Sequence, residues 1–328
     1  METHDRRTFL KRSAMLAAVA ASGRLLTSSA SGKGNITSQQ GFNRPFFSNA
    51  RHPDVIAHRG GDGERPGETM MAMQGAFRLN VDVLEMDVYM TKDGHLVLMH
   101  DILVSKTTEV DGPIKRFFPV NKFTLSELQQ LNAGYRWPKH GPRDESFYGK
   151  KFNELAEDKK LSLRVPTLRE VFDAFPQTRM NIEMKPAFVS PAEALSQLIR
   201  EKNMRDNVLV ASFWHPYLKD FRQLSPEVAT SASAMELISY IHKHKRPNAD
   251  AIQVLPQIHA ELKKQEIIQW SIITEKFLKK AHDDNLPVHA WTINDEQEMK
   301  RIKDLGIDGI ITDYPKRLLS ILGRPVPA

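Results

Sequence analysis

The stretch "VLEMDV" at 83–88 places Glu85 and Asp87 two residues apart in an apolar run, and "NIEMK" at 181–185 repeats the spacing with Glu183 and Lys185. In an extended strand residues i and i+2 share a face, so each pair points one way while Leu84, Met86 and Val88 point the other. Buried carboxylates are costly unless paired or bound to an ion. Three of them aimed at one place suggest one hard divalent cation, Ca2+ or Mg2+, held by oxygen ligands. "IAHRGGDGERPGET" at 56–69 adds His58 and Arg59 at the end of another apolar run, followed by three glycines, as a chain holding an anion would. His100 with Asp101 closes "HLVLMHD" at 95–101, and Trp291 lies in "VHAWTI" at 288–293.

Plainer roles stand beside these. Glu85 and Asp87 alone could form a polar layer bonded to lysines, Lys185 could merely pair with Glu183, and Trp291 could plug the interior. A single histidine among twelve is most simply core or surface, and His215 and His289 are read that way. His58 and His100 stand out jointly, because each ends a strand beside the same carboxylates.

Such residues need a frame that brings strand ends together. From Val55 onward eight short apolar runs alternate with amphipathic stretches: 55–60, 83–88, 181–185, 208–213, 228–233, 251–255, 288–293 and 309–314. The intervening segments carry helical spacing, as in Met73, Ala76 and Phe77; the last is expected to start at an Asn294 cap and end at Gly306. This is the pattern of a TIM (β/α)8 barrel, whose chemistry sits at the C-terminal strand ends. A doubly wound sheet fits less well, since "HRGGDG" lacks the dinucleotide-binding glycine spacing. Residues 102–164 are too long for a strand-to-helix loop and are expected to form a small inserted subdomain after the second strand. Within it a helix is expected at 124–131, and the polar run 139–160 as a mobile lid.

Residues 1–30 read as a signal rather than fold. Arg6-Arg7, then Phe9-Leu10-Lys11, an alanine-rich stretch and small residues near Ala30 have the order of a twin-arginine export signal, so the protein is expected to be periplasmic or extracellular. Residues 31–53 read as a linker or an arm wrapping the domain, 54–322 as the barrel and 323–328 as a tail. Five Lys/Arg against two Asp/Glu in residues 1–30 account for three of the six net positive charges, and "HKHKRP" at 242–247 is the one dense basic run. No nucleic-acid partner is expected from so weak an excess. Cysteine is absent, which excludes disulfides and thiolate metal sites. No apolar run reaches membrane-spanning length.

The run "HRGGDGERPGET…LEMDVYMTKDGHLVLMHD" over 58–101 strongly resembles the glycerophosphodiester phosphodiesterase family. So do "VPTLREVFDAFPQTRMNIEMKP", "VLVASF" and "VHAWTINDEQEMKRIKDLGIDGIITDYP", and the resemblance runs from Val55 to about Leu322. It implies a TIM barrel with an inserted subdomain. It further implies that Glu85, Asp87 and Glu183 bind the metal, that His58 and His100 are the acid/base pair, that Arg59 and Lys185 contact the phosphate, and that Trp291 lines the alcohol side. The implied reaction is metal-dependent hydrolysis of glycerophosphodiesters to an alcohol and glycerol 3-phosphate. The substrate's neighbouring glycerol hydroxyl would attack first, giving a cyclic phosphate that water opens.

One departure marks this chain. Where the family reads Pro-Glu-Asn-Thr, this sequence has Pro66-Gly67-Glu68-Thr69, so Glu68 or Glu64 is expected to supply the displaced carboxylate. Two alternatives remain. The loop "HRGGDGE" and the phrase "EVFDAFPQTRMNIEMK" look nearer to lysophospholipase D members, with Phe117, Phe118 and Phe123 as candidates to line an acyl groove and a transient membrane-surface contact to follow. A catalytically silent phosphate- or phospholipid-binding protein would require the loss of a ligand or histidine, and all five are present.

Overall fold

A computed structural model describes residues 43–110, 118–138, 143–262 and 266–327, with the backbone alone over 257–270. The export signal expected over 1–30, the first part of the linker, and Phe117 lie outside the described residues. The strands are β1 (Asp54–Ala57), β2 (Val83–Met90), β3 (Leu96–Leu98), β4 (Arg179–Met184), β5 (Val208–Ala211), β6 (Ala229–Thr230), β7 (Ile252–Val254), β8 (Gln257–Leu262), β9 (Glu266–Ser271), β10 (Val288–Ala290) and β11 (Gly309–Thr312). Eight of them run parallel in the order β6-β5-β4-β2-β1-β11-β10-β7. The two ends of that path meet through a parallel bridge between Ser231 and Ala251, backed by Ala232 N donating to Ala251 O at 2.8 Å. The sheet therefore curls round on itself as a TIM-like barrel.

Strand alternation sorts the side chains. Ile56, Val83, Leu209, Ala229, Ala251 and Ile311 pack together inside the ring. Val55, Ala57, Leu84, Met86, Val88, Ile182 and Val210 face outward to the helices. Those helices are α1 (Met70–Arg78), α2 (Leu125–Leu128), α3 (Glu157–Leu163), α4 (Leu168–Ala174), α5 (Ala192–Glu201), α6 (His215–Leu224), α7 (Ala234–Lys243), α8 (Glu275–Asp283), α9 (Glu296–Asp304) and α10 (Pro315–Ile321). Hydroxyl caps start several: Thr69, Thr167, Ser233 and Thr274 each accept from the backbone one turn on. Asp295, not Asn294 as expected, caps α9, accepting from Glu298 N at 2.8 Å. Among the described residues no helix is long and apolar enough to cross a membrane.

Residues 43–53 are an arm rather than a bare linker. Phe46 and Phe47 bury against the interior strands and stop the base of the barrel. Arg179 sits over the Phe46 ring at 5.4 Å and makes a two-pronged ion pair with Asp54, both contacts 2.8 Å. The expected tail is also tied at its start: Arg324 pairs with Asp82 and donates to Pro53 O at 2.8 Å.

Several features differ from expectation. The helix expected at 124–131 is a single turn, Leu125–Leu128, inside a capping box made by Thr124 and Glu127. The polar run 139–160, expected as a mobile lid, is packed where it is described. Phe147, Leu155 and Leu163 form a small core with Trp137 and Met71. Buried Asn132 donates to the carbonyls of Phe147 and Lys150, and Glu109 accepts from the amides of Asn132 and Phe152. Phe118 and Phe123 meet edge to face with ring centres 6.2 Å apart, so Phe123 fills a local core rather than an open groove. After β7 the antiparallel hairpin β8–β9 was unanticipated, because its residues carry no turn dipeptide to betray it.

Candidate active site

The mouth is built from strand ends. After β1 the chain enters a tight turn at His58–Gly60, in which Arg59 takes the left-handed conformation with φ 52°. That costs a residue with a side chain about 1 kcal/mol, and it sets Arg59 N on Glu85 Oε2 at 2.7 Å. The Arg59 guanidinium then lies 3.3 Å from Asp87 Oδ2. Gly60, at φ 79°, lets α1 come close: a Cβ there would stand 2.8 Å from the backbone of Ala72.

His58 Nδ1 is 2.5 Å from Asp313 Oδ1 at the end of β11. Asp313 Oδ2 accepts from Asn294 Nδ2 at 2.6 Å, and Asn294 Oδ1 takes the Asp313 amide at 2.9 Å. This His58–Asp313–Asn294 relay was not anticipated. His100 follows β3, partly exposed, with Nδ1 3.6 Å from Asp101. Both histidines line one cavity of about 410 Å³, together with Arg59, Glu68, Asp62 and Asp313. Trp291, just past β10, lies outside that lining; it meets Phe213 edge to face at 5.1 Å and leans on the interior cluster.

Asp87 and Glu183 are register partners across β2 and β4. Lys185 Nζ sits between them, 3.4 Å from Asp87 Oδ1 and 3.2 Å from Glu183 Oε1. Glu68, at φ 59°, turns its buried carboxylate inward, where Oε1 accepts from Asp87 N at 3.0 Å. Glu64 points away and accepts from Lys316 N at 2.9 Å. Of the two carboxylates considered for the shifted loop, Glu68 is the one brought to the site. The space a side chain at Gly67 would fill holds Asp62, 2.7 Å from where its Cβ would be.

Against known proteins, residues 58–317 match the model of the glycerophosphoryl diester phosphodiesterase family. The chain belongs to this family. It is 30% identical over 276 residues to the glycerophosphodiester phosphodiesterase of Caldanaerobacter subterraneus subsp. tengcongensis, covering 82% of this chain and 98% of that one. It is 28% identical over 287 residues to lysophospholipase D GDPD1 of Homo sapiens, covering 81% and 85%. Among solved structures, the Oleispira antarctica phosphodiesterase in complex with sn-glycerol-3-phosphate aligns with TM-score 0.59 at 24% identity, covering 83% of this chain and 97% of that one. The glycerophosphodiester phosphodiesterase of Agrobacterium tumefaciens str. C58 aligns at 0.60 and 21%, covering 82% and 99%.

In this phosphodiesterase the carboxylates at the strand ends are shifted in opposite directions. Burial pushes the Glu85 carboxyl up to about 7 and Glu183 up to about 8, and it holds Glu68 well above the ordinary range, with Asp87 adding repulsion. Asp87 goes the other way. Burial opposes its ionisation, but Lys185 and then Arg59 outweigh it and keep it charged. His58 is raised: burial works against its protonation, and the Glu85 charge followed by the Asp313 bond prevails. The buried oxygens Asp87 Oδ2, Glu183 Oε1 and Glu68 Oε2 accept no hydrogen bond. Among the described residues no three His, Asp or Glu side chains close around a single point, since Lys185 stands between two of the carboxylates. The donor chemistry nevertheless fits a hard cation, because unsatisfied carboxylate oxygens are what Ca2+ or Mg2+ takes.

Proposed function

We propose that the chain is a metal-dependent hydrolase of glycerophosphodiesters, releasing an alcohol and glycerol 3-phosphate, with His58 and His100 as the acid/base pair. The observation that carries this reading is the shared cavity, in which both histidines stand with Arg59 while Asp313 backs His58. Glu85, Asp87 and Glu183 would hold one divalent cation, with Glu68 as a further carboxylate beside them. Bound there, Ca2+ or Mg2+ would supply charge neutralisation for the phosphate oxygens.

The protein's own groups carry the other parts. Arg59 and Lys185 offset the charge that builds on the non-bridging oxygens in the transition state. One histidine takes the proton from the substrate's neighbouring glycerol hydroxyl as it attacks phosphorus. The other gives a proton to the departing alkoxide, so the alcohol leaves neutral and a cyclic phosphate remains. Water then opens the ring with the two roles reversed. Asp313 holds His58 by Nδ1, leaving Nε2 for the transfer. Residues 102–164 act as an inserted subdomain over the mouth, Trp291 lines the alcohol side, and residues 1–30 direct export to the periplasm or beyond. Phosphorus NMR during turnover tests the route: a transient cyclic phosphate is expected, together with no cleavage of a substrate analogue lacking the hydroxyl. Cleavage of that analogue at the normal rate would overturn it.

A second reading, lysophospholipase D, has one observation in its favour. Phe188, Val189, Met235 and Leu255 follow β4, β6 and β7 at the C-terminal side of the barrel and are 46%, 50%, 65% and 41% exposed. Such a rim would suit an acyl chain or a membrane surface. Turnover of lysophosphatidylcholine well above that of glycerophosphocholine would select this reading.

A further inference from the structure

The cavity that holds both histidines is also lined by two basic side chains that the proposed reaction does not use. Lys106 and Arg136 line it from the segment after β3. Arg136 is anchored from behind: its Nε donates to the carbonyls of Ser105 at 3.0 Å and Thr108 at 3.1 Å, and its guanidinium lies 5.3 Å from the Tyr135 ring. Trp137 Nε1 donates to Asp62 O at 2.6 Å, which ties the same stretch to the turn after β1. Among the described residues, the two terminal nitrogens of Arg136 and the Lys106 ammonium have no hydrogen-bond or ion-pair partner.

The carboxylates lining the cavity are already engaged. Asp62 accepts from Gly67 N and lies near Arg59, Asp101 sits by His100, Asp313 holds His58 and Asn294, and Glu68 takes the Asp87 amide. Two cations are therefore left over, and one is held in a fixed pose that presents its fork to an anion. Arg59 and Lys185 already serve the phosphodiester at the strand ends, and glycerol itself carries no charge.

Resting on the phosphodiesterase reading, we propose that Lys106 and Arg136 select substrates whose alcohol moiety bears its own anion, a carboxylate or a phosphate. The test compares kcat/KM for glycerophosphoserine and glycerophosphoethanolamine, which differ by one carboxylate, and for glycerophosphoglycerol with and without a terminal phosphate. About ten-fold preference for the anionic member of at least one pair is expected, the range of one charge-assisted contact, shrinking as ionic strength rises. The pair showing it identifies the anion. Lys106→Met with Arg136→Gln should bring the ratio to about one while the neutral esters stay within about two-fold; Lys106→Met alone, at an exposed position, should reduce it in part. No preference in the unaltered enzyme for either pair, or equal losses on both members of a pair in the variants, would overturn the proposal alone. Failure to hydrolyse any of the four esters would overturn the phosphodiesterase reading with it.

Discussion

At the base of the barrel, buried Asp54 receives both prongs of Arg179, and Asp308 is held by His282 at 2.8 Å and by His52 at 3.3 Å. At the mouth, Asp87 Oδ2 and Glu183 Oε1 have ion-pair contacts but no hydrogen bond, and Glu68 Oε2 has neither. Both ends hold acidic groups, and β4 reaches both, with Arg179 at its start and Glu183 near its end. At the base only Asp308 Oδ1 relies on an ion-pair contact alone, from His52, whereas at the mouth three carboxylate oxygens lack a hydrogen bond and Glu68 Oε2 lacks an ion pair as well. A buried charge that finds its partner within the chain holds the fold together. One left wanting a partner costs stability and is kept where an ion or substrate will complete it.

Substitutions at the two ends should therefore part stability from activity. Arg179→Ala strands the Asp54 carboxylate in the base and should cost about 3–5 kcal/mol of stability, with kcat per folded molecule little changed; denaturant unfolding alongside kinetics reads both. At the mouth, Glu68→Gln should lower kcat/KM by more than about ten-fold yet leave stability equal or higher, since burial already disfavours the charged form of this carboxyl. Activity within a few-fold of the original would mean that Glu68 does not compensate for Gly67.

The pH dependence should differ in the same way. Asp308 is lowered, because the bonds from His282 and then His52 outweigh the opposing burial, while both histidines are raised chiefly by their bonds to it. The aspartate contributes above its ordinary 3.8 and loses that contribution as pH falls through its folded value. The histidines contribute below their ordinary 6.5 and lose theirs as pH rises through the folded values. The base is thus strongest between these limits, and His282→Gln should flatten the decline at the alkaline side. At the mouth the slope begins earlier. Glu85 and Glu183 keep protons that the unfolded chain gives up above 4.5, so metal-free stability should fall from there up to about 8. Added Ca2+ or Mg2+ should accordingly raise Tm more at pH 8 than at pH 5, and Glu183→Gln should weaken that gain. A metal effect of equal size at both pH values would separate the carboxylates from the cation.

Much of the mouth is legible in the sequence because it is written locally. Glu85, Asp87, Glu183 and Lys185 declare themselves by a two-residue spacing that a strand must display on one face, and the eight apolar runs require a ring to bring them together. The features that the sequence conceals depend on distant pairing or on backbone sign. Asp313 reaches His58 only because β1 pairs with β11 across the closure of the ring. Asn294 has the look of a helix cap, but the next residue does that work while Asn294 turns to Asp313. Glu68 enters the site through a left-handed φ that no side-chain pattern announces, and Phe46 and Phe47 sit in a stretch whose polar composition hides them.

The central claim is that the two histidines of one cavity carry out phosphodiester hydrolysis. Its most direct test is release of glycerol 3-phosphate from a glycerophosphodiester by the protein loaded with Ca2+ or Mg2+, compared with His58→Ala and His100→Ala. The expected result is hydrolysis by the unaltered chain and a loss of about 10²–10⁴ in kcat for each variant, with Tm nearly unchanged. Hydrolysis by His58→Ala at the original rate, or none by the metal-loaded unaltered protein, would contradict it.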